Sequence, residues 1–383
     1  MYRYRLYPSR KQQQCLFETF NICKEIYNDL LEASIKTYKE TGKTLRKFDF
    51  DKLYTGKHPK VFSQVKQNIS DRVSKAFQNF FRRAKDPTCK EKGFPRFKSR
   101  IYSITYPQFG FKFLSQRRLK VSKIGSIPII LHRAPKGVVK TLTIKRNRAG
   151  QWFAIFACEV PIKPVKQKPE SKIGIDVGIE SFAVTSDDEF VESPHYFIKS
   201  EKRLKLLQRR VSRKKKGSKN RRRSKHLLAK QHLKVANQRL DFLHKLSYSL
   251  TKRYGFIAVE DLNIKGMLHN HHLAKHISDA SWNAFVNMLE YKAVTSGSTL
   301  IKVNPRNTSK TCSNCGAITD MPLNQREYHC SVCGFVCHRD LNASINILKI
   351  GQDLPESNAC GHDVRPSSLK AVVVEAGTIL DKS

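Results

Sequence analysis

Apolar positions at the start of the chain recur first with strand spacing and then with helical spacing. Residues 2–7 alternate basic side chains with aromatic or apolar ones and end at Pro8, which predicts a short strand. Two amphipathic helices should follow and pack on each other, with their apolar stripes forming core rather than a base-stacking surface. The stripes are Leu16, Phe20, Cys23, Tyr27 and Leu30, then Val65, Ile69, Val73, Phe77 and Phe80.

The pattern changes to short apolar runs between Gly93 and about Lys163. Runs at 101–106, 127–131, 139–144 and 152–160 predict strands, and the turn signal between the last two predicts a hairpin. We expect the strand at 2–7 to complete the same small barrel, with the two helices as an insertion between its strands. Three prolines and three lysines in 161–169 then indicate a linker.

The second half alternates strands with helices, which is typical of an α/β domain. An apolar strand ends at Asp176, a glycine turn follows, and a second strand is predicted at 181–185. Another strand, 254–260, ends at Glu260. A helix at 278–294 and a strand at 299–303 come next. The last predicted helix begins at Asp340, with Leu341, Ile345 and Leu348 on one face.

Charge adds a class of partner to this picture. The 383 residues contain 72 Lys and Arg against 32 Asp and Glu, a formal net charge of +40 that favours a polyanion. Nucleic acid is a better candidate than a membrane, because no apolar run reaches the length of a transmembrane span. The chain begins without an apolar signal segment, so we expect a cytoplasmic or nucleoid protein with reduced cysteines.

Basic residues are densest between Lys202 and Leu240. This stretch holds seventeen Lys or Arg and no acid, yet its apolar residues keep helical spacing on both sides of Gly217. We therefore predict two helices that lie along nucleic-acid phosphates, although a charge run is more often a solvated surface. The candidate contacts are Arg209, Arg210, Arg213, Lys214, Lys215, Lys216, Arg221, Arg222 and Arg223.

Four cysteines form two pairs with the spacing of a zinc site. Cys312 and Cys315 make one Cys-x2-Cys pair, Cys330 and Cys333 make another, and fourteen residues separate the pairs. Zinc prefers four thiolates on two short turns, so we predict a structural zinc site rather than free thiols or a disulfide. Such a site has no open position for substrate, and any catalysis must come from other residues.

Three carboxylates lie at the ends of predicted elements: Asp176, Glu260 and Asp340. The element order fits an RNase H-like fold with helical and zinc insertions, in which these acids converge on one cleft. Carboxylate oxygens are ligands for magnesium, and a pair of such ions can drive in-line phosphodiester hydrolysis. Two alternatives remain: surface acids at element ends, and an actin-like ATPase, in which Asp-x-Gly also follows a strand. No adenosine-binding glycine pattern accompanies it, and the basic charge is foreign to that class.

The ordered motifs resemble the TnpB (OrfB) family of transposon-encoded, RNA-guided DNA nucleases, which are related to type V CRISPR effectors. These motifs are RYRLYPS at the start, Tyr27-Asn28, GFPRFKS, GIDVGIESFAVTS, VEDLNI, SKTCSNCG, YHCSVCG and HRDLNASINI. The resemblance implies that Asp176, Glu260 and Asp340 bind magnesium or manganese in a RuvC nuclease domain. It also implies a zinc ribbon formed by the four cysteines, a guide RNA from the element's end, and a double-stranded DNA target beside a short motif.

The resemblance also implies a domain layout. A wedge-like β-barrel would comprise 1–9 and 93–163, a helical recognition lobe 10–92, and a linker 164–170. The RuvC domain would comprise 171–304 and 335–350, the zinc ribbon 305–334, and a loosely ordered tail 351–383. We expect a monomeric protein in a ribonucleoprotein. The alternatives are a catalytically silent guided repressor, or a transposase or its DNA-binding accessory protein.

Overall fold

The computed structural model describes residues 1–89, 93–160, 170–322 and 325–354. They fall into two compact units, 1–160 and 170–354. The predicted linker lies outside the described residues except for its last position, and so does the predicted tail from residue 355 onward. Among the described residues, no helix combines the length and the apolar character needed to cross a membrane.

The first unit contains seven strands and three helices. In chain order they are β1 (Tyr2–Leu6), α1 (Arg10–Thr41), α2 (Lys47–Tyr54), α3 (Ser63–Lys85), β2 (Ser103–Tyr106), β3 (Phe111–Ser115), β4 (Arg118–Val121), β5 (Gly125–Ile130), β6 (Val138–Arg146) and β7 (Trp152–Glu159).

The seven strands form one curled antiparallel sheet in the order β2-β6-β7-β1-β5-β4-β3. The N-terminal strand pairs with both β5 and β7, so the predicted insertion of helices between strands of one sheet is confirmed. The predicted β6–β7 hairpin is also confirmed. Among the described residues β2 and β3 do not pair with each other, and the sheet is therefore open at that seam rather than a closed barrel.

Helices α1 and α3 pack on each other and on the sheet. Every residue of the two predicted apolar stripes is buried in one continuous core, which confirms the interpretation of the stripes as core. Helix α1 begins after Ser9, whose hydroxyl accepts from the backbone N–H of Gln12 while the Gln12 side chain accepts from the Ser9 N–H. It ends at Gly42, where φ of +68° is easily adopted only without a β-carbon.

The second unit contains seven strands and six helices. They are β8 (Lys172–Asp176), β9 (Ser181–Thr185), β10 (Phe190–Glu192), α4 (Tyr196–Ser212), α5 (Lys219–Arg253), β11 (Phe256–Glu260), α6 (Ile264–Met267), α7 (Ala274–Ala280), α8 (Trp282–Ser296), β12 (Thr299–Val303), β13 (Glu327–His329), β14 (Val336–His338) and α9 (Arg339–Asp353).

Five of these strands form a mixed sheet in the order β10-β9-β8-β11-β12. Strands β8, β11 and β12 run parallel, and β9 and β10 are antiparallel additions at one side. The prediction that the Asp176 strand lies next to the Glu260 strand is confirmed. Residues in the middle of β8 and β11 are buried in succession, as expected for central parallel strands covered on both faces.

Helix α9 packs closely against β8 and β11, because two glycines at the contact have no side chain. A β-carbon at Gly174 would lie 2.1 Å from the Ser344 carbonyl oxygen, and one at Gly351 would lie 2.7 Å from the Ala258 side chain. The predicted helix is confirmed as α9, and Leu341, Ile345 and Leu348 lie on one half-buried face of it. Its buried residues are Asn342, Ala343, Ser344, Asn346, Ile347 and Gly351.

Gly174→Ala should destabilise the second unit, because its methyl group would meet helix backbone that cannot rotate away. We expect a loss near the upper end of the usual overpacking range, about 3 kcal/mol, seen as a lower thermal unfolding midpoint. Gly93→Ala is a matched control, since a β-carbon there has nothing within 4 Å. An equal midpoint for Gly174→Ala and wild-type protein would contradict this contact.

Candidate active site and cysteine cluster

The three predicted carboxylates come from three adjoining elements. Ile175 of β8 pairs with Val259 of β11, so Asp176 and Glu260 follow at the carboxyl ends of neighbouring parallel strands. Asp340 lies in the first turn of α9, about one helical turn before the residue that contacts Gly174. The fold thus brings all three acids to the same end of the sheet.

Asp176 lies close enough to the other two acids for their charges to act on it. Burial, followed by the charges of Glu260 and Asp340, raises the pKa of Asp176 well above its usual range. The positive charge of Arg339 and a hydrogen bond from the Val177 backbone lower that pKa but do not offset the rise. Burial also raises the pKa of Glu260. Ionising these carboxylates together is therefore costly unless a cation offsets the repulsion.

This donor set fits a divalent cation. Among the described residues, none of the three acids forms an ion pair with Lys or Arg within 4.0 Å, so no basic side chain binds their oxygens directly. Oxygen donors without a basic partner are what magnesium and manganese prefer. The carboxylates are nevertheless spaced more widely than a closed single-ion site, because only the four cysteines gather their ligand atoms within 4.8 Å in the described part of the chain.

Two residues beside the acids were missed by the sequence analysis. Thr308 places its hydroxyl 2.6 Å from Oε1 of Glu260. His338 caps α9, because its Nδ1 accepts from the Asp340 backbone N–H at 3.2 Å. His338 offered a signal, since it directly precedes the helix start. A lone threonine 48 residues after its glutamate offers none.

The four predicted cysteine ligands form one cluster. The Sγ atoms of Cys312 and Cys333 are 3.7 Å apart, and those of Cys315 and Cys330 are 3.6 Å apart. A disulfide needs about 2.05 Å, whereas thiolates around tetrahedral zinc at about 2.3 Å lie about 3.8 Å from each other. The residues therefore fit zinc and exclude a disulfide arrangement.

Backbone amides favour the thiolate form in this cluster. Hydrogen bonds from the N–H groups of Cys333 and Val332 lower the pKa of Cys330 to about 6. The N–H of Phe335 lowers the pKa of Cys333 in the same way. A thiolate is the form that binds zinc, so the second turn is already suited to the metal.

Side chains of α9 hold the first cysteine turn in place. Asn342 accepts from the Ser313 backbone N–H at 2.8 Å and donates to the Thr311 carbonyl at 2.7 Å. Asn346 donates to the carbonyls of Thr308 and Thr311, and Lys349 donates to the Ser313 carbonyl. The helix that carries Asp340 is thereby fastened to the segment that carries Cys312.

The nine basic candidates lie on or between α4 and α5, which meet at Gly217 with φ of +85°. Seven are exposed, whereas Lys214 and Arg221 are half-buried. Arg221 donates to the Lys214 carbonyl at 2.7 Å and so helps to close the turn between the helices. Among the described residues, none of the nine forms an ion pair with an acid.

Three family models match this chain. One described as "Probable transposase" matches residues 155–271, one described as "Cas12f1-like, TNB domain" matches 282–347, and one described as "Helix-turn-helix domain" matches 1–43. The last description does not fit the observed fold, because residues 1–43 form strand β1 and the single helix α1.

Two curated relatives cover most of the chain. A protein of Streptomyces pristinaespiralis, named "Putative RNA-guided DNA endonuclease", is 34% identical over 95% of this chain and 92% of its own. "Putative RNA-guided DNA endonuclease InsQ" of Escherichia coli (strain K12) is 31% identical over 79% of this chain and 76% of its own.

A solved structure shares the fold at low sequence identity. It is titled "Cryo-EM structure of the Cas12f1-sgRNA-target DNA complex", and its protein is 17% identical with a TM-score of 0.54. The match covers 88% of this chain and 82% of that one. At this identity the similarity concerns architecture alone.

Proposed function

Because this chain belongs to the TnpB family, also called OrfB, we propose that it is an RNA-guided endonuclease that cuts double-stranded DNA beside a short target-adjacent motif. The proposal assigns the second unit as an RNase H-like RuvC nuclease domain with an inserted zinc ribbon. The observation that carries it is the meeting of Asp176, Glu260 and Asp340 at one end of the mixed sheet. The protein would act for a transposable element in DNA transposition and recombination.

The three carboxylates would hold magnesium or manganese. When bound, these ions supply stabilisation of the attacking and leaving oxygens of a phosphodiester bond and an activated water nucleophile. The protein contributes three half-buried acids, and the charges of Glu260 and Asp340 act against ionisation of Asp176, a repulsion that a bound cation would relieve. Arg339 adds a positive charge near Asp176. Zinc, in contrast, is assigned a structural role in the ribbon.

Sequence recognition is assigned to the guide rather than to the protein. In guided effectors, base pairing reads the target while the protein contacts backbone, shape and a short motif. The exposed basic residues of α4 and α5 suit backbone contact, because they are dense and have no acidic partners among the described residues. Isolating the protein from its host and sequencing the copurifying RNA tests this partner. A discrete RNA from the element's end is expected, whereas no bound RNA would count against guidance.

The double variant Arg222→Gln with Arg223→Gln should weaken binding to nucleic acids of every sequence. Both side chains are exposed at the start of α5, and Arg221 is left intact because it closes the turn. The slope of log affinity against log salt should flatten by about one unit per lost phosphate contact. Fluorescence anisotropy at several salt concentrations measures it.

Lys245→Gln is the matched control, because this exposed lysine on the same helix already pairs with Asp241 at 2.8 Å. It should alter affinity and salt slope less than the arginine variant. If the arginine variant and wild-type protein have the same salt slope, Arg222 and Arg223 do not contact phosphates.

A further inference from the structure

The hydroxyl of Thr308 lies 2.6 Å from Oε1 of Glu260, the usual separation for a hydrogen bond from a hydroxyl to a charged carboxylate. The same hydroxyl is 3.1 Å from the Pro305 carbonyl oxygen. It has one proton to donate, and the shorter contact to a carboxylate is the stronger of the two. Among the described residues, Oε2 of Glu260 makes no hydrogen bond, so this oxygen remains available to a ligand.

Thr308 is itself held firmly. Its side chain is buried, with 3% of the residue exposed, and a β-branched side chain has few rotamers. Its carbonyl accepts from Asn346 Nδ2 at 2.9 Å, and Asn346 is also buried. A hydrogen-bonded path therefore runs from Glu260 through Thr308 and Asn346 to α9, the helix that carries Asp340.

This path links Glu260 to the helix that carries Asp340 without any charged residue. Burial raises the pKa of Glu260, and the Thr308 hydrogen bond lowers it, which indicates that the threonine favours the ionised carboxylate. A partner that fixes one carboxylate oxygen already restricts the Glu260 side chain. Less conformational entropy is then lost when the other oxygen binds a cation. Burial alone would not require this contact, because the Pro305 carbonyl is within reach of the hydroxyl.

We propose that Thr308 is a positioning residue for the cleavage centre, which orients Glu260 for divalent-metal binding by fixing its Oε1. This inference rests on the proposed metal-dependent nuclease function. Partners that orient a metal ligand typically contribute 10–100-fold to metal affinity or activity. Thr308→Val keeps the shape of the side chain and removes only the hydroxyl, whereas Thr308→Ser keeps the hydroxyl.

The first measurement is Mn²⁺ binding to the full-length, zinc-loaded protein without nucleic acid, by electron paramagnetic resonance titration. Thr308→Val should weaken the Glu260-dependent site about 10–100-fold, and Thr308→Ser should recover most of the affinity. Glu260→Gln identifies the site by abolishing it. Thr311→Val is the matched control, since in the described part of the chain its hydroxyl bonds only to the Asn307 carbonyl on the same segment.

The second measurement is cleavage by the guide-loaded protein across Mn²⁺ concentrations. Thr308→Val should need more Mn²⁺ for half-maximal rate, with DNA binding unchanged. If wild-type protein never cleaves, the proposed function fails, and the Mn²⁺ titration still tests Thr308. Wild-type Mn²⁺ affinity in Thr308→Val, or no Glu260-dependent site in wild-type protein, overturns the inference. Thermal unfolding without Mn²⁺ shows whether each variant is folded. If Thr308→Val is unfolded, Thr308→Ala is used in its place.

Discussion

Asp176→Ala and Glu260→Ala should each abolish cleavage of guide-matched double-stranded DNA while guided binding persists. Each change removes a carboxylate from the cleft and leaves the basic surface of α4 and α5 untouched. Loss of a metal ligand should lower the cleavage rate by at least about a thousandfold, comparable with removing a principal charge-stabilising group elsewhere. Cleavage gels and mobility-shift assays, with Mg²⁺ or Mn²⁺ and the copurified guide, separate the two activities.

Glu192→Gln is the matched control for these variants. Glu192 is an exposed acid on edge strand β10 of the same sheet, two strands away from β8 and Asp176. It should cut at the wild-type rate. If Asp176→Ala cleaves DNA normally, the assignment of these carboxylates as a nuclease site is wrong. A wild-type complex that binds its matched target yet never cuts would favour the guided repressor in its place.

The nuclease hypothesis and the transposase hypothesis also separate in this assay. A transposase would join cut ends to element ends, whereas the proposed enzyme would leave hydrolysed ends. The carboxylates themselves do not distinguish the two reactions, because two-metal sites serve both water and hydroxyl nucleophiles. Mapping the product ends after cleavage therefore tests the reaction class as well as the residues.

The sequence predicts the positions of Asp176 and Glu260 because central parallel strands are short, apolar runs. Such a run can be recognised from its own residues alone, and two neighbouring parallel strands end at the same edge of the sheet. The cysteine cluster was also predictable, since its ligands come in local pairs of fixed spacing. Both predictions depend on patterns within a few residues.

The buried asparagines of α9 could not be predicted in this way. A polar residue is ordinarily assigned to the surface, yet Asn342 and Asn346 are buried. Their amides bond to backbone groups of residues 308–313, about thirty positions earlier in the chain. Only the folded chain supplies these partners, so nothing in the local sequence pattern marks the two asparagines as buried. Thr308 was missed for the same reason.

The β3–β4 hairpin was missed for a different reason. Its strands Phe111–Ser115 and Arg118–Val121 have only five and four residues, and basic side chains interrupt their apolar positions. They pair with each other and, through β4, with the following strand β5, at the edge of the sheet. Short edge strands of this kind carry little local signal.

Loss of a cysteine ligand should have the largest structural effect in the ribbon. Cys330→Ser and Cys315→Ser should each reduce bound zinc from about one ion per chain to a small fraction, because a closed site needs all four thiolates. Cys312 and Ser313 are fastened to α9 by Asn342 and Lys349. Loss of zinc should therefore also disturb Thr308 and its hydrogen bond to Glu260, and so reduce the cleavage rate. Metal analysis and thermal unfolding measure both consequences.

Cys337→Ser provides the control that distinguishes a ligand from a neighbouring thiol. Cys337 is half-buried in the apolar core of the ribbon beside Cys312, but it is not among the four clustered cysteines. Its serine variant should keep a full complement of zinc. If Cys330→Ser and Cys315→Ser also keep full zinc and fold normally, the ribbon assignment is wrong. If Cys337→Ser loses zinc and Cys330→Ser keeps it, Cys337 rather than Cys330 is the zinc ligand.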